Sequence, residues 1–141
     1  MSAKNLLQDQ TIVVTGAATG IGQAFALGAS SQGAHVVVAD MNSADETMDI
    51  IKTRGGHATY VKVDVSDDAS TRAMAEAAIK ATGRIDGLIN NAAYFREVKL
   101  TPFEELSESE WDRIFQVNVK GIWLCCKAVM PAMRERKGGS I

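Results

Sequence analysis

Thr11-Ile12-Val13-Val14-Thr15-Gly16-Ala17-Ala18-Thr19-Gly20-Ile21-Gly22 is the stretch whose reading decides the fold. Its first five residues are β-branched throughout, as suits a strand covered on both faces. The run passes directly into three glycines, and residues 20–32 then take helical spacing. A glycine turn between strand and helix lets the backbone approach a phosphate closely. The unpaired N–H groups and the dipole at the helix start favour its negative charge. An ATP-hydrolysing phosphate loop would place Lys and Ser or Thr after the last glycine, whereas Gly22 is followed by Gln23. The glycines taken alone also suit an ordinary tight turn.

Outward from this turn, short β-branched runs alternate with longer Ala-rich helical stretches, and no motif repeats itself. Strands are expected over Thr11–Thr15, His35–Asp40, 59–63 and 87–90, all four apolar enough for burial on both faces. Helices are expected near 20–32, 44–54 and 67–82, with a longer helical region over 108–137. Ser43 with Glu46 and Ser107 with Glu110 have capping-box spacing, and Ser66 precedes Asp67 and Asp68. Gly33, Gly55 and Gly83 follow the first three helices where a left-handed residue is needed. Right-handed crossovers then lay the strands side by side as half of a doubly wound parallel sheet.

The chain has 141 residues, enough for one core, and is expected to form a single domain over residues 1–141. Apolar residues make up 46% and charged residues 23%, which argues against disorder and fibrous repeats. Fifteen basic against seventeen acidic residues give a net charge of −2, and the longest basic cluster is Arg134, Arg136 and Lys137, so a nucleic-acid surface has little support. Residues 1–10 lack the apolar segment of a signal peptide, and no run approaches the roughly 18 apolar residues of a membrane helix. The expectation is a cytoplasmic protein with neither membrane nor nucleic-acid partner. Adjacent Cys125 and Cys126 have no metal-ligand spacing and read as core.

Asp40 ends the second strand about 20 residues beyond the glycines, where an acid can accept from both hydroxyls of a ribose. Met41 and Asn42 follow it, and Ala17 and Ala18 in the turn are uncharged, so no basic residue is near in sequence to receive a 2′-phosphate. That phosphate beside the carboxylate would meet repulsion on the order of 4 kcal/mol at about 4 Å and an effective dielectric of about 20. NAD is therefore expected in preference to NADP.

These residues resemble the short-chain dehydrogenase/reductase family, whose turn pattern T-G-x-x-x-G-I-G is matched by Thr15 to Gly22. The likeness continues through Asp64-Val65, similar to the family's adenine-contacting pair, and Asn90-Asn91-Ala92-Ala93, similar to its N-N-A-G. It extends to Trp111-Asp112 and to Val117-Asn118-Val119-Lys120-Gly121. The resemblance implies a Rossmann-like α/β fold of strand order 3-2-1-4. It implies a cofactor site of Thr15, Gly16, Thr19, Gly20, Ile21, Gly22, Asp40, Asp64, Val65, Asn91, Ala92 and Ala93. Asn118 aligns with the asparagine of the family's proton relay and is the one candidate catalytic residue. Ala93 departs from the family glycine and adds a Cβ near the expected nicotinamide ribose.

The implied reaction is hydride transfer between a nicotinamide and an alcohol or carbonyl substrate, with a Tyr as acid/base, a Lys lowering its pKa and a Ser holding the substrate oxygen. Tyr60 is followed four residues on by Asp64, and Tyr94 by Val98, so neither matches the family's Y-x-x-x-K. Gly138-Gly139-Ser140-Ile141 resembles the start of the fifth strand, and Ser140 is not the family serine. The chain is thus expected to be truncated after the fourth strand and long helix, and to be inactive alone. The alternative is a non-catalytic dinucleotide-binding or protein-interaction module. The fourth strand is expected to be an open sheet edge.

On the long helix, Phe115, Val119, Ile122, Cys126, Val129 and Met133 recur at helical spacing, and Trp123, Leu124 and Met130 add apolar surface on other faces. Because the family packs this helix against a neighbouring subunit, a homo-oligomer is expected. Pro131 is expected to end or kink it. The acidic run Glu104, Glu105, Glu108, Glu110 and Asp112 suits a helix start better than a metal site, and none is expected. Tyr94 and Phe95 begin a loop that, on the family layout, borders the substrate side; His35 and His57 read as structural or solvated.

Overall fold

Consecutive β-branched residues need cover on both faces, and the computed structural model, which describes residues 5–95 and 98–141, provides it. β1 (Thr11–Thr15) and β2 (His35–Asp40) form the centre of a four-stranded parallel sheet of order β3-β2-β1-β4, flanked by β3 (His57–Lys62) and β4 (Gly87–Ile89). This is the order that the resemblance implies. α1 (Gly20–Ser31) and α2 (Asp45–Thr53) cover one face, while α3 (Asp68–Thr82) and α5 (Gly121–Glu135) cover the other. Alternation along each strand serves both cores. Val13, Val37 and Leu88 pack with Met74, Ala78, Cys125 and Val129, whereas Ile12, Val14, Val36 and Val38 pack with Ala26, Ala29 and Ile51.

Several expectations are corrected. β3 is an edge strand, begins at His57 and exposes His57, Tyr60 and Lys62, so it is not buried on both faces. β4 ends at Ile89, before Asn90. Ser107 does cap α4 (Glu108–Phe115), accepting from the Glu110 N–H at 3.2 Å. Ser43 does not cap α2, which starts after Ala44 with no side-chain cap and presents Asp45 and Glu46 to its dipole instead. Asp67 caps α3, accepting from Ser70 N–H at 2.8 Å, because the Ser66 hydroxyl is turned to Asp64. Gly33, Gly55 and Gly83 all have positive φ.

The long helical region divides into α4, one π turn over Gln116–Lys120, and α5. Pro131 lies inside α5 without ending it: one N–H is lost, but Val129 and Met133 on either side are anchored in the core. Leu124, Cys125, Val129 and Met133 form the buried line of α5, whereas Phe115, Val119 and Ile122 face outward with Trp111 and Trp123. The edge of β4 is partly covered, since Leu88 N–H donates to the Ser140 carbonyl and Ser140 N–H to the Asp86 carbonyl, both at 3.0 Å. Among the described residues no helix is long and apolar enough to cross a membrane.

At the opposite end of the sheet from the glycine turn, Asp86 fastens β1, β4 and the end of α5. Its carboxylate accepts from Thr11 N–H at 2.8 Å, from Arg84 Nε and Nη2 at 2.7 Å each, and from Arg136 Nη1. Burial opposes its ionisation, but these donors outweigh burial and bring its pKa down to about 2. A carboxylate with a lowered folded pKa contributes stability that is full above its unfolded value and is lost as pH falls through the folded one. Asp86→Asn should cost about 2 kcal/mol at pH 7 by urea denaturation. The gap from wild type should close between about pH 4 and pH 2.

Candidate functional site

The site begins with the Thr15 hydroxyl, buried where β1 ends. Its Oγ1 donates to the Ile89 carbonyl at 3.3 Å and accepts from the N–H groups of Asn91 and Ala92 at 3.1 Å each. Asn91 answers from the other side, its Nδ2 donating to the carbonyls of Thr15 at 3.0 Å and Gly16 at 3.1 Å. These bonds align the C-terminal ends of two parallel strands. Gly16, at φ +67°, sits so close to that clasp that a Cβ would come within 2.9 Å of Ala92 Cα, and a Cβ at Gly22 would overlap the Gly16 carbonyl. Two of the three glycines are therefore required by backbone packing. Gly20, also at positive φ, is exposed with Thr19 and Ile21.

Ala17 and Ala18 are buried beneath the turn, and their polar groups are satisfied from inside. Ala17 N–H donates to the Ala39 carbonyl at 3.3 Å, and Ala18 N–H to Asp40 Oδ2 at 2.9 Å. Both carbonyls accept from the Thr47 hydroxyl at 3.0 Å. The next segment is the reverse: Thr19 makes no side-chain cap, and the first N–H groups of α1 have no partner within the helix. Asp40 stands at the lip of the turn. Its Oδ1 accepts from Asn42 N–H at 2.9 Å, so each carboxylate oxygen holds one backbone donor and keeps further acceptor capacity.

Asp64 Oδ1 accepts from the N–H of Ser66 at 2.9 Å and from its hydroxyl at 2.6 Å; Val65 is buried against Gly121, where a Cβ would come within 2.9 Å of it. Asn118 sits in the π turn, and its amide grips the backbone of Tyr94, accepting from its N–H at 2.7 Å and donating to its carbonyl at 3.1 Å. The Arg113 guanidinium lies over the Tyr94 ring, 4.7 Å from its centre. An open cleft of about 790 Å³ runs beside these groups, with Met41, Asp64, Ser66, Tyr94, Arg113 and Gln116 in its wall. Ala92 packs on the core, Ala93 is exposed, and Phe95 is exposed at the start of its loop. Burial, with Cys126 adjacent, pushes the Cys125 thiol up to about 12, so it is no nucleophile.

The expected cofactor-site residues thus gather at the C-terminal edge of the sheet, where ligands bind in open α/β folds. The short chain dehydrogenase profile matches residues 10–141. The chain belongs to that family. It is 42% identical over 137 residues to the uncharacterized oxidoreductase YxbG of Bacillus subtilis, covering 96% of this chain and 49% of that protein. It is 38% identical over 138 residues to the D-threitol dehydrogenase of Mycolicibacterium smegmatis, covering 96% and 52%. A solved structure assigned as a short-chain dehydrogenase/reductase from Burkholderia xenovorans superposes with a TM-score of 0.89 at 31% identity, covering 97% of this chain and 55% of that one. The chain spans about half the length of the curated relatives it matches.

Within this short-chain dehydrogenase chain, sequence reading missed three side chains. Thr47 and Gln23 support the turn, Gln23 Nε2 donating to Thr47 Oγ1 at 3.0 Å, and the Tyr60 hydroxyl donates to the Asn42 carbonyl at 2.9 Å. The one available signal was Thr47 itself, a polar residue in line with Ala44 and Ile51 on the buried side of α2. Thr15→Val keeps the shape of the clasp and leaves the Asn91 and Ala92 N–H groups short of an acceptor. It should lower stability by about 3 kcal/mol by urea denaturation, since each unsatisfied buried group costs about 1–3 kcal/mol.

Proposed function

We propose that this chain is a single NAD-binding domain that contributes the cofactor half of an oxidoreductase acting on an alcohol or carbonyl substrate. The observation that carries this reading is Asp40, held by two backbone N–H groups at the lip of the glycine turn and facing no ion-pair partner among the described residues. The residues fit a dinucleotide: the first turn of α1 leaves its N–H groups for an anion, and the Thr19 side chain is not committed to a cap. Thr19, Gly20, Ile21 and Gly22 would hold the pyrophosphate, and Asp40 the adenosine ribose. Asp64 and Val65 would hold the adenine; Asn91, Ala92 and Ala93, on the frame set by Thr15 and Gly16, would hold the nicotinamide side. When bound, the dinucleotide supplies or takes up the hydride.

Asn118 holds the Tyr94 backbone and so shapes the floor where the substrate side begins. Neither tyrosine of this chain is placed as an acid/base: the Tyr60 hydroxyl is bonded to Asn42, and neither has a lysine four residues on. Turnover by the 141-residue chain alone is therefore not expected. Trp111 stacks on Phe115 at 4.5 Å, and with Val119, Ile122 and Trp123 forms an exposed apolar face suited to a second copy of the chain. We place this protein in the cytoplasm, with no nucleic-acid or membrane partner.

Titration of NADH and NADPH, followed by nicotinamide fluorescence, should show tighter binding of NADH. Asp40→Ala should narrow the preference about tenfold or more, as for loss of a hydrogen bond to a charged group. NADPH binding as tightly as NADH overturns the assignment. Incubation of purified chain with NAD and a panel of secondary alcohols should give no NADH.

A further inference from the structure

Asp40 can exclude a 2′-phosphate only if its carboxylate stays where the ribose would lie, and its position depends on a residue that touches no ligand. We propose that Thr47 of α2 is a positioning residue that sets the cofactor preference of this chain through the Ala18 peptide; the proposal rests on the dinucleotide reading above. The chain of bonds is short. Asp40 Oδ2 accepts from Ala18 N–H at 2.9 Å, and the carbonyls of Ala17 and Ala18 accept from Thr47 Oγ1 at 3.0 Å each. One hydroxyl proton is shared between those two carbonyls. Gln23 Nε2 donates to the same oxygen at 3.0 Å, so the hydroxyl has no freedom to turn away.

Thr47 and Ala17 are fully buried, and Ala18 is buried. Without the hydroxyl the Ala18 carbonyl keeps only a long bond from Gln23 Nε2 at 3.5 Å and the buried Ala17 carbonyl loses its side-chain donor, so the two peptides would be free to rotate toward better partners. Rotation at Ala18 carries its N–H away from Asp40. The carboxylate would keep the Asn42 N–H on Oδ1 but lose the donor that fixes Oδ2. An Asp40 free to swing accepts less well from ribose hydroxyls and repels a 2′-phosphate less, so both changes act against NADH and for NADPH. The helix after the second strand thereby reports to the glycine turn before it.

The test is the ratio of NADH to NADPH dissociation constants in the 141-residue chain, with thermal melting alongside. Thr47→Val should shrink the preference for NADH about tenfold. Thr47→Ser, which keeps the hydroxyl, should retain the wild-type ratio even with a lowered melting temperature. A purely structural threonine would lower the melting temperature in both variants and leave the ratio unchanged, which overturns the proposal. Should Thr47→Val fail to fold, Gln23→Met removes the donor that orients the hydroxyl and should move the ratio in the same direction; an unmoved ratio there also overturns it. Wild-type chain that binds neither dinucleotide overturns the cofactor reading, and this inference with it. Wild type that discriminates while both variants discriminate equally overturns this inference alone.

Discussion

Burial of the Ala17 and Ala18 peptides is the constraint on which the rest of the site depends. Four polar groups lie under the turn, and each must find a partner in the protein because water is excluded. The partners come from two different elements: the Ala39 carbonyl and Asp40 carboxylate at the end of β2, and the Thr47 hydroxyl on α2. Satisfying these groups from below forces the following residues, Thr19 to Ile21, to the surface at the start of α1. The open N–H groups there follow from how the closed ones are satisfied.

The same logic explains the division of labour around the sheet edge. Thr15 and Asn91 bind β1 to the segment after β4, which is why glycine is required at 16 and 22, where a side chain would strike that segment or the turn itself. Asn118 then couples that segment to the π turn. An extra residue in a helical turn shifts the faces on either side of it. The outward line of Phe115 and Val119 continues past this turn to Ile122 and Trp123, while the inward line of Leu124, Cys125 and Val129 begins after it. Asp86, at the far end of the sheet, holds the other ends of β1 and β4.

Much of this was legible in the residues. β1 and β2 announced themselves by β-branched runs, the turn by its glycines, and Asp40 by its place at the end of the second run, because each is a local pattern with a local cause. The order of the strands followed from the resemblance and from the handedness of crossovers. Less legible were features fixed by contacts across the fold. Thr47 reads as one polar residue on an amphipathic helix until α2 is placed under the turn. Tyr60 reads as a strand aromatic until Asn42 is beside it. Gln116 to Lys120 carry nothing that distinguishes a π turn from an α turn, and Pro131 breaks a helix only where the core does not hold the turns around it. Ser43 and Ser66 had cap spacing, but the helix starts were decided by where α2 and α3 dock.

The central claim is that the exposed start of α1, framed by Asp40 and Asp64, is where a dinucleotide binds. Backbone amide NMR of the isotopically labelled chain during titration with NADH tests it most directly. The account predicts the largest shift changes at Thr19, Gly20, Ile21 and Gly22, with smaller ones at Asn42 and Val65. Changes concentrated in the groove between α3 and α5, at Ile79, Lys80 and Ala128, would contradict it, as would a spectrum that NADH leaves unchanged.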